Sequence, residues 1–511
     1  MELMKEKLNR FFKISERGST IKTEIVAGLT TFFAMAYIVV TNPNQVVGFN
    51  FGGDLDTIWN AVYVASILVA VVGTLLYAFY AKMPFAQACG MGLNSFFFVA
   101  FIVPELAGGD VVQGYREGLC IILLSGVLFL ALSLTGARQY IAKALPDCLK
   151  KAIPAGIGLF IAFIGFKNVG IIQENMYTFV QFFDFHGMIN AVGMSLAELT
   201  AGNATGAVSD AVLATYTSYF NYDMTATVTA FDAWCVMAPV VISLLGLFAI
   251  AVLEKKNVKG SVIIAIGGAT VLYYLATWQL PSFELGQIGQ SFVDFGSIGI
   301  FGAFEGFTIF AGGAAAIINA IVLTITFTLV DMFDTIGTLY GTAAQADMLD
   351  ENGDPIEVDK CMTCDSVATL SGALLGTSTC TTFVESASGV AAGGRTGLTS
   401  LVTAACFFVC LFLSPVAAIV PACATAPALI YVGVLMLKGF SKVDMTDITA
   451  AVPAFLALVM MPLTYSISNG IAIGAIAYTL ITLVTGKYSK KDIVVTAIAI
   501  LFTARFFLVS M

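Results

Sequence analysis

Charge is what this sequence lacks most. Only 11% of its 511 residues are Asp, Glu, Lys or Arg, whereas a soluble domain carries about 25%. Histidine occurs once, at His186, and tryptophan three times. A His-rich metal cluster, a nucleophile elbow and a phosphate-binding loop are all missing, so no enzyme class has a motif to stand on. Lys and Arg are absent altogether from 173–231 and 279–316. The net charge of −9, with a pI near 4.7, argues against a nucleic-acid partner. No small-residue cleavage site follows the first apolar run, so the polar, basic N-terminus is not expected to be a signal peptide. Cysteine is plentiful, with ten residues lying mostly in apolar runs. Cys361-Met-Thr-Cys364 has metal-ligand spacing but no second pair, so ordinary thiols and no metal are expected.

What fills the chain instead is apolar surface. Hydrophobic residues make up 58% and the mean hydropathy is +0.91, more than a water-soluble fold of this size can hide, so the chain must face lipid. Apolar runs of about 17–25 residues predict an all-α polytopic membrane protein of about fourteen transmembrane segments. The first seven lie near 24–42, 58–80, 87–103, 116–136, 153–172, 232–253 and 260–278. The second seven lie near 317–343, 364–377, 380–393, 397–413, 416–437, 446–467 and 469–486, and 491–509 is an optional extra helix. Segments 87–103, 364–377 and 380–393 are short or rich in Gly, Ser and Thr. Basic residues cluster before segment one, between four and five, between six and seven, and after twelve and fourteen. That bias places the N-terminus (1–23) in the cytoplasm and the two segments without Lys or Arg outside.

The halves repeat. Ala88-Cys89-Gly-Met-Gly-Leu-Asn94-Ser95 and Thr379-Cys380-Thr-Thr-Phe-Val-Glu385-Ser386 both read Cys, four residues, polar residue, Ser, at an offset of 291. Thr31-Phe-Phe-Ala34-Met35 lies over Thr328-Leu-Val-Asp331-Met332 at an offset of 297. Seven segments per half invert the second copy (317–511) relative to the first (24–278). Inverted repeats with interrupted helices are the architecture of secondary transporters, whose site lies at the repeat interface.

Acids inside such spans are costly, about 2.5–3.5 kcal/mol each on insertion scales, and are functional suspects by default. Asp331 and Asp334 share one face of segment eight, and Glu385 lies in a stretch dense in hydroxyls and glycine. A structural hydrogen bond to unwound backbone is the alternative for each. Asn94 follows Gly90 and Gly92, where backbone approaches a ligand closely and an amide reads it as donor and acceptor. Phe383 and Ser386, flanking Glu385, join Asn94, Asp331 and Glu385 as candidate substrate contacts, with Asp331, Asp334 and Glu385 as proton-coupling candidates. Arg395 ends segment ten as an anchor or a gate, and the acidic run Asp347–Asp354 lacks the closing Glu of a calcium loop and is expected as a solvated turn.

Five segments carry a family resemblance: Thr23 through Pro43, Gly90 through Phe97, Asp331-Met-Phe-Asp-Thr-Ile-Gly-Thr338, Gly376 through Gly397, and Met461 through Gly470. With them the chain resembles the AzgA-like purine permeases of the nucleobase–cation symporter-2 (xanthine/uracil permease) group. The resemblance implies a 7+7 inverted repeat with short antiparallel strands in segments three and ten. It also implies a core domain of segments 1–4 and 8–11 (24–136 and 317–413) and a gate domain of segments 5–7 and 12–14 (153–278 and 416–511). It implies import of adenine, guanine or hypoxanthine with protons by alternating access, no cofactor, and a plasma (inner) membrane location with a homodimer as an option. Asn94, Asp331, Asp334 and Glu385 carry over as site positions. The chemistry is coherent, because a carboxylate accepts two parallel hydrogen bonds from a base edge while a second carboxyl takes up a proton. The alternative is a carrier of another small solute or an anion on the same fold.

Overall fold

The computed structural model describes residues 2–50, 52–135, 146–175, 178–220, 222–256, 258, 260–281, 286–345, 348, 355–383, 385–489 and 492–508. The acidic run 347–354, apart from Met348, lies outside these residues, as do Lys143, Lys259, Lys490 and Lys491.

Helices dominate, as the apolar runs predict. In chain order the elements are α1 (Glu2–Phe12), α2 (Ile21–Met35), α3 (Ile38–Val46), α4 (Asp54–Leu76), β1 (Gln87–Cys89), α5 (Met91–Phe97), α6 (Val111–Thr135) and α7 (Asp147–Asn168). A hairpin of β2 (Ile172–Asn175) and β3 (Phe179–Phe182) and three short helices over 185–219 come before α8 (Ala230–Lys255) and α9 (Ser261–Thr277). The second half runs α10 (Gly286–Asp294), α11 (Gly313–Gln345), α12 (Val358–Leu375), β4 (Cys380–Thr382), α13 (Ser386–Ala391) and α14 (Gly397–Cys410). It closes with α15 (Ala422–Leu437), α16 (Ile448–Leu463), α17 (Ile467–Val484) and α18 (Ile493–Leu508). Among the described residues, eight helices are long and apolar enough to cross a membrane and six shorter apolar helices accompany them.

Two stretches differ from the hydropathy reading. The span expected at 364–377 begins at Val358, because Asp359 and Lys360 sit in its first turn and depress its hydropathy. The segment 279–316 is largely helical over 286–310. Its polar groups find partners: Asp294 accepts from Asn60 Nδ2 at 2.8 Å and from Gln290 Nε2 at 2.7 Å.

The chain divides into two compact units, one of 1–161, 284–417 and 432–511, the other of 162–283 and 418–431. In the smaller unit Phe183, Met188, Leu196, Leu199, Val212 and Tyr216 form an apolar core with Ile430. Ser195 and Glu198 cap one of its short helices reciprocally, and those hydrogen bonds hold the Glu198 carboxyl below its usual range. In the larger unit α14 packs on α2 and α4, and α12 on α4 and α6.

At the centre of the larger unit the two short segments meet as strands. β1 and β4 pair antiparallel with Gln87 opposite Thr382, Ala88 opposite Thr381 and Cys89 opposite Cys380. The ladder extends by Gly90 N to Thr379 O and Phe383 N to Ala86 O, both 3.0 Å. Cys89 therefore lies against the residue the 291-residue offset makes its counterpart, which is what a local two-fold axis between inverted copies requires. The run Thr377-Ser-Thr-Cys-Thr-Thr382 is rich in β-branched residues that favour extended backbone. Both strands are wholly buried, the condition under which non-helical backbone is tolerated at membrane depth. Gly376, at φ 100°, turns the chain from α12 towards β4, and a Cβ there would lie 2.5 Å from Gly299 Cα.

Candidate functional site

A cavity of about 370 Å³ opens at the ends of the paired strands. One wall is polar: Gly90 to Gly92 after β1, Thr381 and Thr382 of β4, Phe383 and Glu385 beyond it, and Asp334 and Thr338 of α11. The facing wall is apolar, from Pro154, Ile157 and Ile161 of α7 and Val432, Leu435 and Met436 of α15. Lys150, Lys151, Lys438 and Lys442 also line it; Lys438 and Lys442 are exposed and mark its mouth.

The candidates separate into two groups. Glu385, Asp334 and Phe383 meet at the cavity. Tyr37 Oη donates to Glu385 Oε1 at 2.6 Å, fixing the carboxylate and leaving acceptor capacity for a ligand. Asn94, Asp331 and Ser386 are fully buried behind the cavity wall and do not line it. Asn94 donates from Nδ2 to Gln45 Oε1 at 3.3 Å and accepts on Oδ1 from Ser378 Oγ, tying α3, α5 and the approach to β4 together. Thr369 Oγ1 accepts the amide of Cys380 at 3.1 Å and donates to Asp331 Oδ2 at 2.6 Å, so α11 is braced to β4 through α12. Asp331 Oδ1 is buried without a hydrogen-bond partner. Ser386 Oγ accepts from Ala86 N at 3.0 Å and anchors the start of β1.

Three participants escape the sequence reading. Asp365 of α12 is buried and accepts from Gln87 Nε2 of β1 at 2.7 Å and from Thr335 Oγ1 at 2.5 Å. Thr335 Oγ1 also lies 2.7 Å from Thr381 Oγ1. Because Thr335 spends its one proton on Asp365, the Thr381 hydroxyl donates to it, and the chain Thr381–Thr335–Asp365–Gln87 links β4 to β1. The signal was present, since Asp365 directly follows Cys364, but it fell at the edge of the assumed span. Tyr37 and the mouth lysines are the others; no motif singled out the tyrosine, and the lysines registered only as orientation markers. Arg395 is held by its own protein, donating from one guanidinium nitrogen to Val390 O and Gly394 O at 2.7 and 2.8 Å.

A polar wall with two carboxylates, backbone strand ends and an aromatic face, set against an apolar wall, has the size and mixed lining of a small-molecule pocket. No group of residues able to hold a metal occurs among those described.

Two solved structures share the fold: the transmembrane domain of a cyanobacterium bicarbonate transporter, BicA, at TM-score 0.53 and 14% identity over 88% of this chain and 96% of that one; and murine Solute Carrier 26 family member A9, an anion transporter in the inward-facing state, at TM-score 0.55 and 11% identity over 91% and 68%. Guanine/hypoxanthine permease PbuO of Bacillus subtilis (strain 168) is 36% identical over 97% of this chain and 100% of its own length. Adenine permease AdeP of Escherichia coli (strain K12) is 34% identical over 97% and 95%. The model of the Permease family, which covers the xanthine/uracil permeases, matches residues 22–216 and 206–473. The chain is an integral membrane protein of this Permease family, a transporter and not an enzyme.

Proposed function

We propose that this protein imports purine nucleobases (adenine, guanine or hypoxanthine) across a plasma (inner) membrane by proton symport. The observation that carries the reading is the cavity wall where Glu385, Asp334 and Phe383 meet the strand ends, in a chain similar over nearly its full length to an adenine and a guanine/hypoxanthine permease. The Tyr37-held carboxylate of Glu385 accepts from the base edge, Phe383 offers a ring face, and backbone beside Gly90 and Gly92 completes the contacts. Asn94, Asp331 and Ser386 serve the site from behind, holding the strands. One of Asp331, Asp334 and Glu385 takes up the coupled proton, and neutralising that acid favours the loaded state. The core (24–136 and 317–413) moves against the gate (153–278 and 416–511), with the N-terminus cytoplasmic. An anion carrier is the rival on this fold, but an anion at the strand ends would meet two carboxylates.

The test is uptake of labelled hypoxanthine, guanine and adenine in cells lacking their own purine permeases, with and without a protonophore. Saturable uptake that collapses with the protonophore and is lost in Glu385→Gln and Asp331→Asn, with protein still in the membrane, is expected. Uptake that survives the protonophore removes the proton coupling, normal uptake by both variants removes the site assignment, and no uptake of any purine removes the substrate class.

A further inference from the structure

The established family and the proposed base site leave the lysines of the cavity mouth unused. Lys438 and Lys442 open and close one short 3-10 helix, Lys438–Lys442, at the cavity mouth. Lys151 Nζ donates to Lys442 O at 2.9 Å, which brings a third ammonium onto the same turn. Lys150 adds a fourth, and its ion pair with Asp147 is a 3.4 Å contact to a carboxylate 83% exposed, of a kind that contributes little. Among the described residues no carboxylate lies within ion-pair distance of Lys151, Lys438 or Lys442. Lysines at helix ends ordinarily mark the side of the membrane they face. These four instead line the cavity that holds Asp334 and Glu385. Three lysines lining one cavity mouth with no carboxylate in ion-pair distance among the described residues suit a phosphate group, which lysine binds as a point charge.

The cavity thus has two chemistries in one volume, a base-reading wall and a phosphate-binding mouth. At about 370 Å³ it falls within the ~300–1,000 Å³ of pockets for drug-sized ligands and is roomier than a bicyclic base needs. We propose that the cavity also binds a purine nucleoside 5′-monophosphate, with its base against Glu385 and Phe383 and its phosphate on Lys151, Lys438 and Lys442. The proposal rests on the base-site reading above. A ligand held at both ends blocks the base and holds the cavity in one state, so the nucleotide acts as a competitive brake on the carrier. The nucleotide is the class of product formed when a base nitrogen displaces the leaving group from C1 of an activated ribosyl phosphate, so the brake responds to the use of the base.

The test uses the full chain in nanodiscs of phosphatidylcholine, with labelled adenine, guanine and hypoxanthine as probes and the matching nucleoside monophosphates and inorganic phosphate as competitors. At least one monophosphate should displace its base competitively, and Lys438→Gln/Lys442→Gln should weaken that displacement by about tenfold or more, the loss of a charge-assisted contact. Lys438→Arg/Lys442→Arg, which keeps the charges, should retain it and serves as the control for folding. Failure of every monophosphate to displace a base that binds, or equal displacement in the Gln variant, overturns the proposal. So does a Gln variant whose only defect appears in discs containing phosphatidylglycerol, since the lysines then serve a lipid headgroup. Lysine-dependent binding of labelled monophosphate to protein that binds no free base supports the phosphate site and refutes the purine-base reading instead.

Discussion

Replacing Tyr37 by Phe is the sharpest single test of the site. The phenol donates a 2.6 Å hydrogen bond to Glu385 Oε1 from a ring that is itself 1% exposed. The substitution leaves the ring and creates almost no cavity, so its effect passes through Glu385. A hydrogen bond to a charged group contributes about 1.5–3 kcal/mol. Part of that is recovered, because Glu385 is only partly buried and lines an open cavity, where water replaces the lost donor. What is not recovered is order: the freed side chain regains rotamers, and fixing them again on binding costs up to about 1.5–2 kcal/mol for a glutamate. Purine affinity should therefore fall by about tenfold, the equivalent of 1.4 kcal/mol, while thermal stability without ligand changes little. Labelled-base binding and a melting curve on the same purified protein read the two separately. Unchanged affinity would refute the role of Tyr37. A loss of affinity matched by an equal loss of stability would show that the phenol acts through packing.

Three further changes address the frame. Asp365→Ala removes the acceptor of two buried donors, Gln87 Nε2 and Thr335 Oγ1; stranding the Gln87 amide alone costs about 1–3 kcal/mol, and base affinity should fall at least about tenfold in binding assays. Glu24→Ala removes the acceptor of three backbone amides, Arg395, Thr396 and Thr399, and of the Thr399 hydroxyl. At about 1 kcal/mol or more for each stranded group, the melting temperature in detergent should drop more than for any variant at the cavity. All ten cysteines are free thiols, so adding a reductant should leave the melting curve where it was, and a downward shift would disprove the thiol assignment.

The sequence makes the architecture legible because the signals are strong and local. Long apolar runs mark the spans, and the shared Cys-x4-polar-Ser pattern in two short segments anticipates the register that sets Cys89 against Cys380. What it does not reveal is direction. Polarity within a span identifies Asn94, Asp331, Asp334 and Glu385 alike, yet only Asp334 and Glu385 reach the cavity. Asp331 and Asp334 differ by three residues, about 60° of rotation on a helix, and the edge of the cavity falls within that angle. Asp365 is hidden by its neighbours: the charged first turn of α12 lowers the hydropathy enough to place the acid at a boundary, where an acid is unremarked. Tyr37 is invisible for a different reason, since its partner is 348 residues away and no periodicity encodes that contact.

The division of the cavity into a polar and an apolar wall bears on how the proposed carrier moves. The polar wall is cross-braced: β1 to β4 by the ladder, β4 to α11 by Thr381–Thr335, α11 to α12 by Thr335–Asp365 and Asp331–Thr369, and α12 back to β1 by Asp365–Gln87. Shifting any one of these elements alone breaks buried hydrogen bonds at about 1–3 kcal/mol for each group left unpaired, so strands and acids move as one piece. The opposite wall presents Ile157, Ile161, Val432, Leu435 and Met436, whose contacts are non-directional and re-form after sliding. On the alternating access proposed above, this arrangement keeps the proposed site fixed and puts the moving boundary along the apolar wall. A disulfide placed between Ile157 and the Gly90–Gly92 turn should therefore arrest transport under oxidising conditions and release it on reduction. Transport undiminished by a cross-link shown to have formed would mean that the moving boundary lies elsewhere.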